Sequence, residues 1–349
     1  MITAKSLFNR YILKYTQREF LPTWISLFPV FFYISYLAIK AKSPLFFSAT
    51  NPGIPLWGLT GDSKTPVLKQ LPKEFIPHTL YISAGTSVTE IIKHIEFANM
   101  EYPLIIKPDI WEGGIGVEKL DNDADLIKYI HNYDEDVLIQ EYIEWTNELT
   151  LLYYRFPHKS NWHISFISTK EFLAVTGDGE STLEELVRSG KRTKLFEHIF
   201  KREHADERNT IIPAWEEYLL QFKWNNHHGT AFVNSNHLIT PDVQMIFDHI
   251  ADEIEGFYYG RFDIKYQDIN EFIQGKSFKI LDVNWVWAGL HQGTGRDYPI
   301  WRVRSIWFNH WNIIYKIAKI NHDNWVPYTT IKEFRAIIKN FKEKIGKFK

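Results

Sequence analysis

Two short segments constrain the chain more than any others: Gly260-Arg261-Phe262-Asp263-Ile264-Lys265 and Ile280-Leu281-Asp282-Val283-Asn284. In each, apolar residues alternate with polar ones, the period of a β-strand whose two faces meet different surroundings. A sheet with a core on one side satisfies that pattern. Asp282 and Asn284 are two residues apart and point the same way. Should the strands be neighbours, Arg261 and Asp263 face that pair, and three hard oxygen donors gather beside one guanidinium. Such donors suit magnesium, which keeps several waters and takes its remaining ligands from substrate phosphates. The arginine is then placed to stabilise an oxyanion. Plain surface charge on a solvated sheet face is the competing reading, and it weakens when two such segments coincide.

Upstream, β-branched or aromatic runs alternate with helical patterns, as in Leu104 to Lys107, Asp123 to His131, Val137 to Ile143 and Leu149 to Tyr154. That order predicts an α/β or α+β chain. Lys107 ends an apolar strand and is followed by Glu112-Gly113-Gly114-Ile115-Gly116. A lysine point charge and closely approaching backbone N–H groups can meet a phosphate there, although an ordinary hairpin uses the same residues. Gln140, Glu141 and Ile143 lie where a strand runs into a short linker whose backbone can read an adenine edge. Glu148, just beyond, can accept from ribose hydroxyls.

Length and composition narrow the classes. At 349 residues the chain exceeds the roughly 250–300 at which single cores stop growing, so two or three packed subdomains are expected. A formal net charge of -2 gives no global field to recruit nucleic acid, and none is expected as a partner. The absence of cysteine removes disulfides, thiolate metal sites and a cysteine nucleophile, and is read as a cytoplasmic location. Histidine does not substitute as a zinc set: His227 and His228 are adjacent and on a strand would point to opposite faces.

Taken in order, these segments resemble the ATP-grasp superfamily, most of all its D-alanine–D-alanine ligase and cyanophycin synthetase-like branches, over roughly Asp62 to Leu290. The resemblance implies an α+β fold in which two α+β subdomains clasp ATP. It adds Lys64, in Gly61-Asp62-Ser63-Lys64, as a second phosphate-binding lysine beside Lys107. It makes Glu112, Gly113, Gly114 and Gly116 the phosphate-covering loop, Gln140, Glu141 and Ile143 the adenine hinge, and Glu148 the ribose acid. Gly260-Arg261-Phe262-Asp263 is similar to a Gly-Arg-Ile-Asp segment whose arginine faces the reacting acyl group and whose aspartate holds magnesium. Asp282-Val283-Asn284 resembles the family's Glu-x-Asn metal pair, with Asp where Glu is usual, and Trp285 stands where a Pro-Gly often begins. Gly177-Asp178-Gly179-Glu180-Ser181-Thr182 through Leu186 is similar to a cyanophycin synthetase-like segment. Read from its residues alone, it is a tight turn followed by a helix capped by Ser181; the resemblance adds Arg188, Lys191, Arg192 and Lys194 as lid charges that could cover bound phosphates. Asn51-Pro52-Gly53-Ile54 matches ATP-grasp proteins with an aromatic N-terminal segment.

The implied activity is an ATP- and magnesium-dependent carboxylate–amine, or carboxylate–nucleophile, ligase acting through an acyl-phosphate and releasing ADP and phosphate, with Arg261 as the catalytic residue. Mn2+ is an alternative metal. A phosphotransferase on a hydroxyl or enol, and a non-catalytic nucleotide-binding scaffold at a membrane, remain open. The expected organisation is an apolar, aromatic helical region over 1–50, a reduced region over 51–95, a small ATP-grasp subdomain over 96–145, a large one over 146–320, and a basic amphipathic helix over 321–349.

Both ends of the chain hint at lipid. Phe20 to Ile39 is uncharged and long enough to span a bilayer, yet Pro22 and Pro29 interrupt it, leaving a buried helical hairpin, an in-plane membrane contact and a true span as options. Ile331, Phe334, Ile337, Ile338, Phe341, Ile345 and Phe348 recur at helical spacing opposite a basic face suited to an anionic membrane or to solvent. The expected partners are therefore a small-molecule or lipid-linked carboxylate and an amine acceptor, with peripheral contact at the inner face of the membrane. Oligomeric state is not legible.

Overall fold

The computed structural model describes residues 23–54, 63–110, 116–133, 135–159, 162–220, 231–286 and 298–345. Helix α1 (Thr23–Ala41) leads into a 3-10 turn at Phe46–Ala49. Among the described residues the strands form three sheets, of four, five and two strands, with antiparallel pairing throughout. The fold class is α+β, as expected.

The four-stranded sheet has the order β1-β4-β2-β3 and comprises β1 (Thr79–Ile82), β2 (Leu104–Pro108), β3 (Glu118–Leu120) and β4 (Val137–Glu141). Helices α2 (Val88–Phe97) and α3 (Asp123–Asn132) cover it. Each helix begins where its sequence supplies a cap. Ser87 and Glu90 form a capping box, and the Asn122 side chain accepts from the N–H groups of Ala124 and Asp125. Ile91 and Ile95 of α2, with Leu126 and Tyr129 of α3, sit at i+4 and i+3 spacings and bury against Leu104, Ile106, Val137 and Ile139. Strand β1 comes from upstream of residue 96, so the sheet draws on the stretch before that boundary.

The five-stranded sheet has the order β11-β10-β5-β6-β9, built from β5 (Asn147–Arg155), β6 (Trp162–Glu171), β9 (Ala231–Asn234), β10 (Tyr259–Tyr266) and β11 (Phe278–Asn284). Both of its faces are covered. Leu149, Leu151 and Tyr153 of β5 and Phe262 and Ile264 of β10 meet Val243, Phe247 and Ile250 of α4 (Pro241–Asp252) in one core. Leu152 and Tyr259 alternate with them and enter a second core with α1 and the long helix α5 (Ile300–Asp323). The last described helix is α6 (Ile331–Ile345), whose Phe334 packs against that second core.

The N-terminal expectation changes. Helix α1 runs unbroken through Pro29 rather than folding into a hairpin: one missing donor near the start of a 19-residue helix is tolerated when packing holds the rest. Leu27, Val30 and Leu37 on its inner face share a core with Trp311, Ile314 and Ala318 of α5. Among the described residues no helix is long and apolar enough to cross a membrane.

A second change concerns the small module of β7 (Ala174–Thr176), β8 (Glu217–Leu219) and the helix Leu183–Ser189. The cap is Thr182, not Ser181, because Glu185 lies three residues beyond Thr182 and closes a reciprocal capping box. Ser181 donates its hydroxyl and its backbone N–H to Asp178 in the preceding turn, which holds the Asp178 carboxyl down at about 2.

Candidate functional site

Strands β10 and β11 are neighbours, with Asp263 opposite Asp282 and Arg261 opposite Asn284. The four polar side chains predicted to share a face therefore come together. Arg261 Nε and an NH2 nitrogen donate to the two oxygens of Asp263 at 2.7 and 2.8 Å, a bidentate pair. Asn284 Nδ2 donates to Asp263 Oδ2 at 2.9 Å. A register shift between Asp263 and Ile264 leaves Leu281 as the extra residue of β11.

Lys64 and Lys107 reach the same place from separate segments. Lys64 Nζ donates to the Val283 carbonyl at 2.9 Å, and lies 3.4 Å from Asn284 Oδ1 and 3.5 Å from Asp282 Oδ1. Lys107 Nζ donates to the Leu281 carbonyl at 3.2 Å. Both lysines are buried. Burial pushes the Lys107 ammonium down to about 8, with Lys64 acting in the same direction and Asp282 and Asp109 opposing it. Asp282 Oδ1 is buried and, among the described residues, makes no hydrogen bond; Lys64 Nζ lies 3.5 Å from it, and the Asp282 charge also acts on Lys107.

Asp109, which no sequence motif marks, and Asn51, known only from its Asn51-Pro52-Gly53-Ile54 motif, position parts of the site. Asp109 accepts from Thr65 N at 3.0 Å and Thr65 Oγ1 at 2.6 Å, while Lys64 N donates to the Asp109 carbonyl at 3.2 Å. It thus fastens the Lys64 segment to the end of the Lys107 strand, and its only sequence signal is that it follows Lys107-Pro108. Asn51 accepts from the N–H groups of Tyr258 and Tyr259 and donates to the Tyr259 carbonyl, fixing the entry to β10 two residues before Arg261. Next to it, a Cβ on Gly53 would lie 1.9 Å from the Glu255 carbonyl oxygen, so the Pro52-Gly53 turn needs glycine for that approach.

The expected nucleotide residues form a second group. Gln140 is buried and its Nε2 donates to Thr79 Oγ1 at 2.8 Å. Glu141 N donates to His78 O at 2.9 Å, and its carboxylate lies 4.0 Å from Lys279 Nζ on β11, so the β4 end touches both sheets. The Ile143 carbonyl accepts from Lys265 Nζ at 2.9 Å. Glu148 stands opposite Lys265 in the β10–β5 register and is ion-paired with Lys170. Lys265 and Lys170 are cations that the sequence reading did not pick out. Arg261, Asp263 and Lys265 occupy alternate positions of one strand, so a single sheet face runs from the carboxylate cluster to the strand-end carbonyl. Glu112, Gly113 and Gly114 lie outside the described residues. Gly116 has φ of 73°, and its carbonyl accepts from Tyr129 Oη at 2.7 Å.

Among the described residues no three His, Cys, Asp or Glu side chains converge as a metal set. The Asp263, Asp282 and Asn284 group offers two carboxylates and one carboxamide. Its hard oxygens, with Asp282 Oδ1 buried and lacking a donor, fit a magnesium ion that arrives with phosphate ligands of its own. Of the tryptophans near β11, Trp285 and Trp311 are core residues, whereas Trp301 is exposed.

No family model matches the chain, and comparison with curated proteins finds no match. Among solved structures the chain is similar to a D-alanine–D-alanine ligase from Bacillus anthracis complexed with ATP, at 13% identity over 75% of this chain and 68% of that one, with a TM-score of 0.41. It is similar to a bifunctional glutathione synthetase from Pasteurella multocida at 15% identity, over 64% of this chain and 31% of that one, TM-score 0.38. For the VanG D-Ala:D-Ser ligase from Enterococcus faecalis the values are 14% identity, 71% and 60% coverage, and a TM-score of 0.39. At TM-scores below 0.5 these likenesses stand as findings only, and the functional reading rests on the chain's own residues.

Proposed function

We propose that the chain is an ATP-grasp ligase that uses ATP and magnesium to activate a carboxylate as an acyl-phosphate, which an amine or other nucleophile then attacks, releasing ADP and phosphate. The observation that carries this reading is the convergence of Lys64 and Lys107, two buried lysines from distant segments, on the strand bearing Asp282 and Asn284, with Arg261 beside them. A polyanion is the substrate such a cluster suits: three cations stand among hard oxygen ligands.

Asp263, Asp282 and Asn284 would hold the magnesium ion, which when bound supplies charge neutralisation for the phosphates. Lys64 and Lys107 bind the phosphate oxygens and take up the charge that builds on the leaving group. Arg261, beside the cluster, would stabilise the oxyanion of the tetrahedral intermediate. Lys265 and the Ile143 carbonyl lie on the adenine side, and Glu148 on the ribose side. The substrates are a small-molecule carboxylate and an amine.

The test is a nucleotide-turnover screen across acids and amines, with products identified. ADP and phosphate, with release dependent on both acid and amine, are expected. AMP with pyrophosphate, or a stable phosphate ester of a hydroxyl or enol that accumulates without any amine, overturns the ligase reading. Lys107→Gln should keep the fold and weaken ADP binding by about 10- to 100-fold, the worth of one charge-assisted hydrogen bond.

A further inference from the structure

The outer face of α1 is apolar and is left exposed by the described residues. Phe28, Phe31, Phe32, Tyr36 and Ile39, spaced to share one side of the helix, are each between 50% and 78% exposed. Leu27, Val30 and Leu37 on the opposite side are buried against α5, so the helix is fully folded and docked while its aromatic row faces outward. Five large apolar side chains in one row exceed the scattered exposure normal for a protein surface.

The charges that flank this row along the sequence are mainly basic, and on α6 the bases outnumber the exposed Glu333 and Glu343. Lys40 and Lys42 close the C-terminal end of α1 and are exposed. Through Gly61 the sequence has Glu19 as its one acid against Lys5, Arg10, Lys14, Arg18, Lys40 and Lys42. Helix α6 seats Phe334 on the same core that α1 covers, leaves Ile337, Ile338 and Phe341 half-buried, and exposes Lys332, Arg335, Lys339 and Lys342.

We infer that α1, assisted by α6, is a docking surface for an anionic phospholipid bilayer, inserting its aromatic row at the headgroup–acyl boundary while the lysines meet lipid phosphates. The contact is peripheral, since neither helix can span. Its position matters for the site. Tyr259 lies in the core beneath α1 and occupies the same sheet face as Arg261, two residues away, so docking sets the Arg261 end of β10 next to the membrane-bound module. The inference does not depend on the ligase reading, because its readout is binding and not turnover.

The full chain should be sedimented with phosphatidylcholine vesicles and with vesicles carrying phosphatidylglycerol. Binding to the anionic vesicles, weakened by salt and at least about tenfold stronger than to the neutral ones, is expected. The variant F28S/F32S/I39S should lose about tenfold or more of that binding with an unchanged melting transition, because the three side chains are exposed. K339E/K342E should weaken binding while leaving the aromatic row intact. Absence of binding by the natural chain, or equal binding by F28S/F32S/I39S, overturns the inference. So does light scattering that shows a dimer of the natural chain, dissociated by F28S/F32S/I39S, with no vesicle binding: the row then serves a second copy of the chain.

Discussion

Lys107 is the residue on which the site's pH behaviour turns. Its ammonium titrates near 8 instead of 10.5 because burial disfavours the charge. Between those two values the unfolded chain binds the proton more readily, so this group makes stability rise with pH there, and its cost is fully present below about 8. Phosphate binding has the opposite dependence, since only the protonated lysine attracts an anion. ADP affinity, measured by calorimetry, should therefore fall as pH rises from 7 to 9.5. Lys107→Gln should bind weakly and without that slope. Asp109 offers a second prediction at this scale. Asp109→Ala removes the anchor of Thr65 and frees the Lys64 segment, and should weaken ADP binding by about tenfold, on the scale of one lost hydrogen bond. Asp109→Asn keeps an acceptor oxygen and should restore most of the affinity.

At the scale of elements, the β10–β11 pair is a ladder with unequal supports. One face is held by Phe262, Ile264, Val283 and the helix α4, an apolar packing that tolerates small adjustments. The start of β10 depends on one carboxamide. Asn51 satisfies three backbone groups, the buried N–H and carbonyl of Tyr259 and the part-buried N–H of Tyr258, and its loss removes those three bonds. Asn51→Ala should cost about 2–4 kcal/mol in urea denaturation, several times the cost of an exposed substitution. Arg261 should then lose its fixed direction, so turnover of the proposed ligase reaction is expected to fall further than ADP affinity. The substitution touches no site residue directly, and equal losses of both would show that β10 does not rely on it.

Across the whole molecule, the second core brings α1, α5 and the site-bearing sheet together, and His310 of α5 ties that helix to the sheet. Its ring is buried between Ser165 Oγ at 3.0 Å and Tyr259 Oη at 3.1 Å, and burial pushes it down to about 3. The unfolded chain takes up this proton near 6.5 and the folded chain does not. Stability is therefore lost as pH falls from about 6.5 toward 3, by at most about 1.4 kcal/mol per unit from this group. His310→Phe should flatten the acid limb of a stability–pH curve, and an unchanged slope would exclude His310 as its source. None of this network is legible in the sequence. The strands were legible, because alternation of Phe262 with Asp263, or Val283 with Asn284, records which face is buried. Lys107 at a strand end and the helical spacing in α6 were legible for the same local reason. The helix starts were nearly so, Thr182 in place of Ser181 being a shift of one residue. What the sequence left open are pairings between residues far apart in the chain: Lys64 with Val283, Asn51 with Tyr259, Asp109 with Thr65, His310 with Ser165 and Tyr259. Pro29 illustrates the same limit, since its ring predicts a break and packing against α5 keeps the helix whole. Local periodicity determined which residues could line a site, because burial acts on each side chain where it stands. Which cation meets which carboxylate, and which aromatic row of α1 stays uncovered, was decided only when the chain closed on itself, since hydrogen bonds and contacts depend on distance in space and leave no mark on neighbouring sequence.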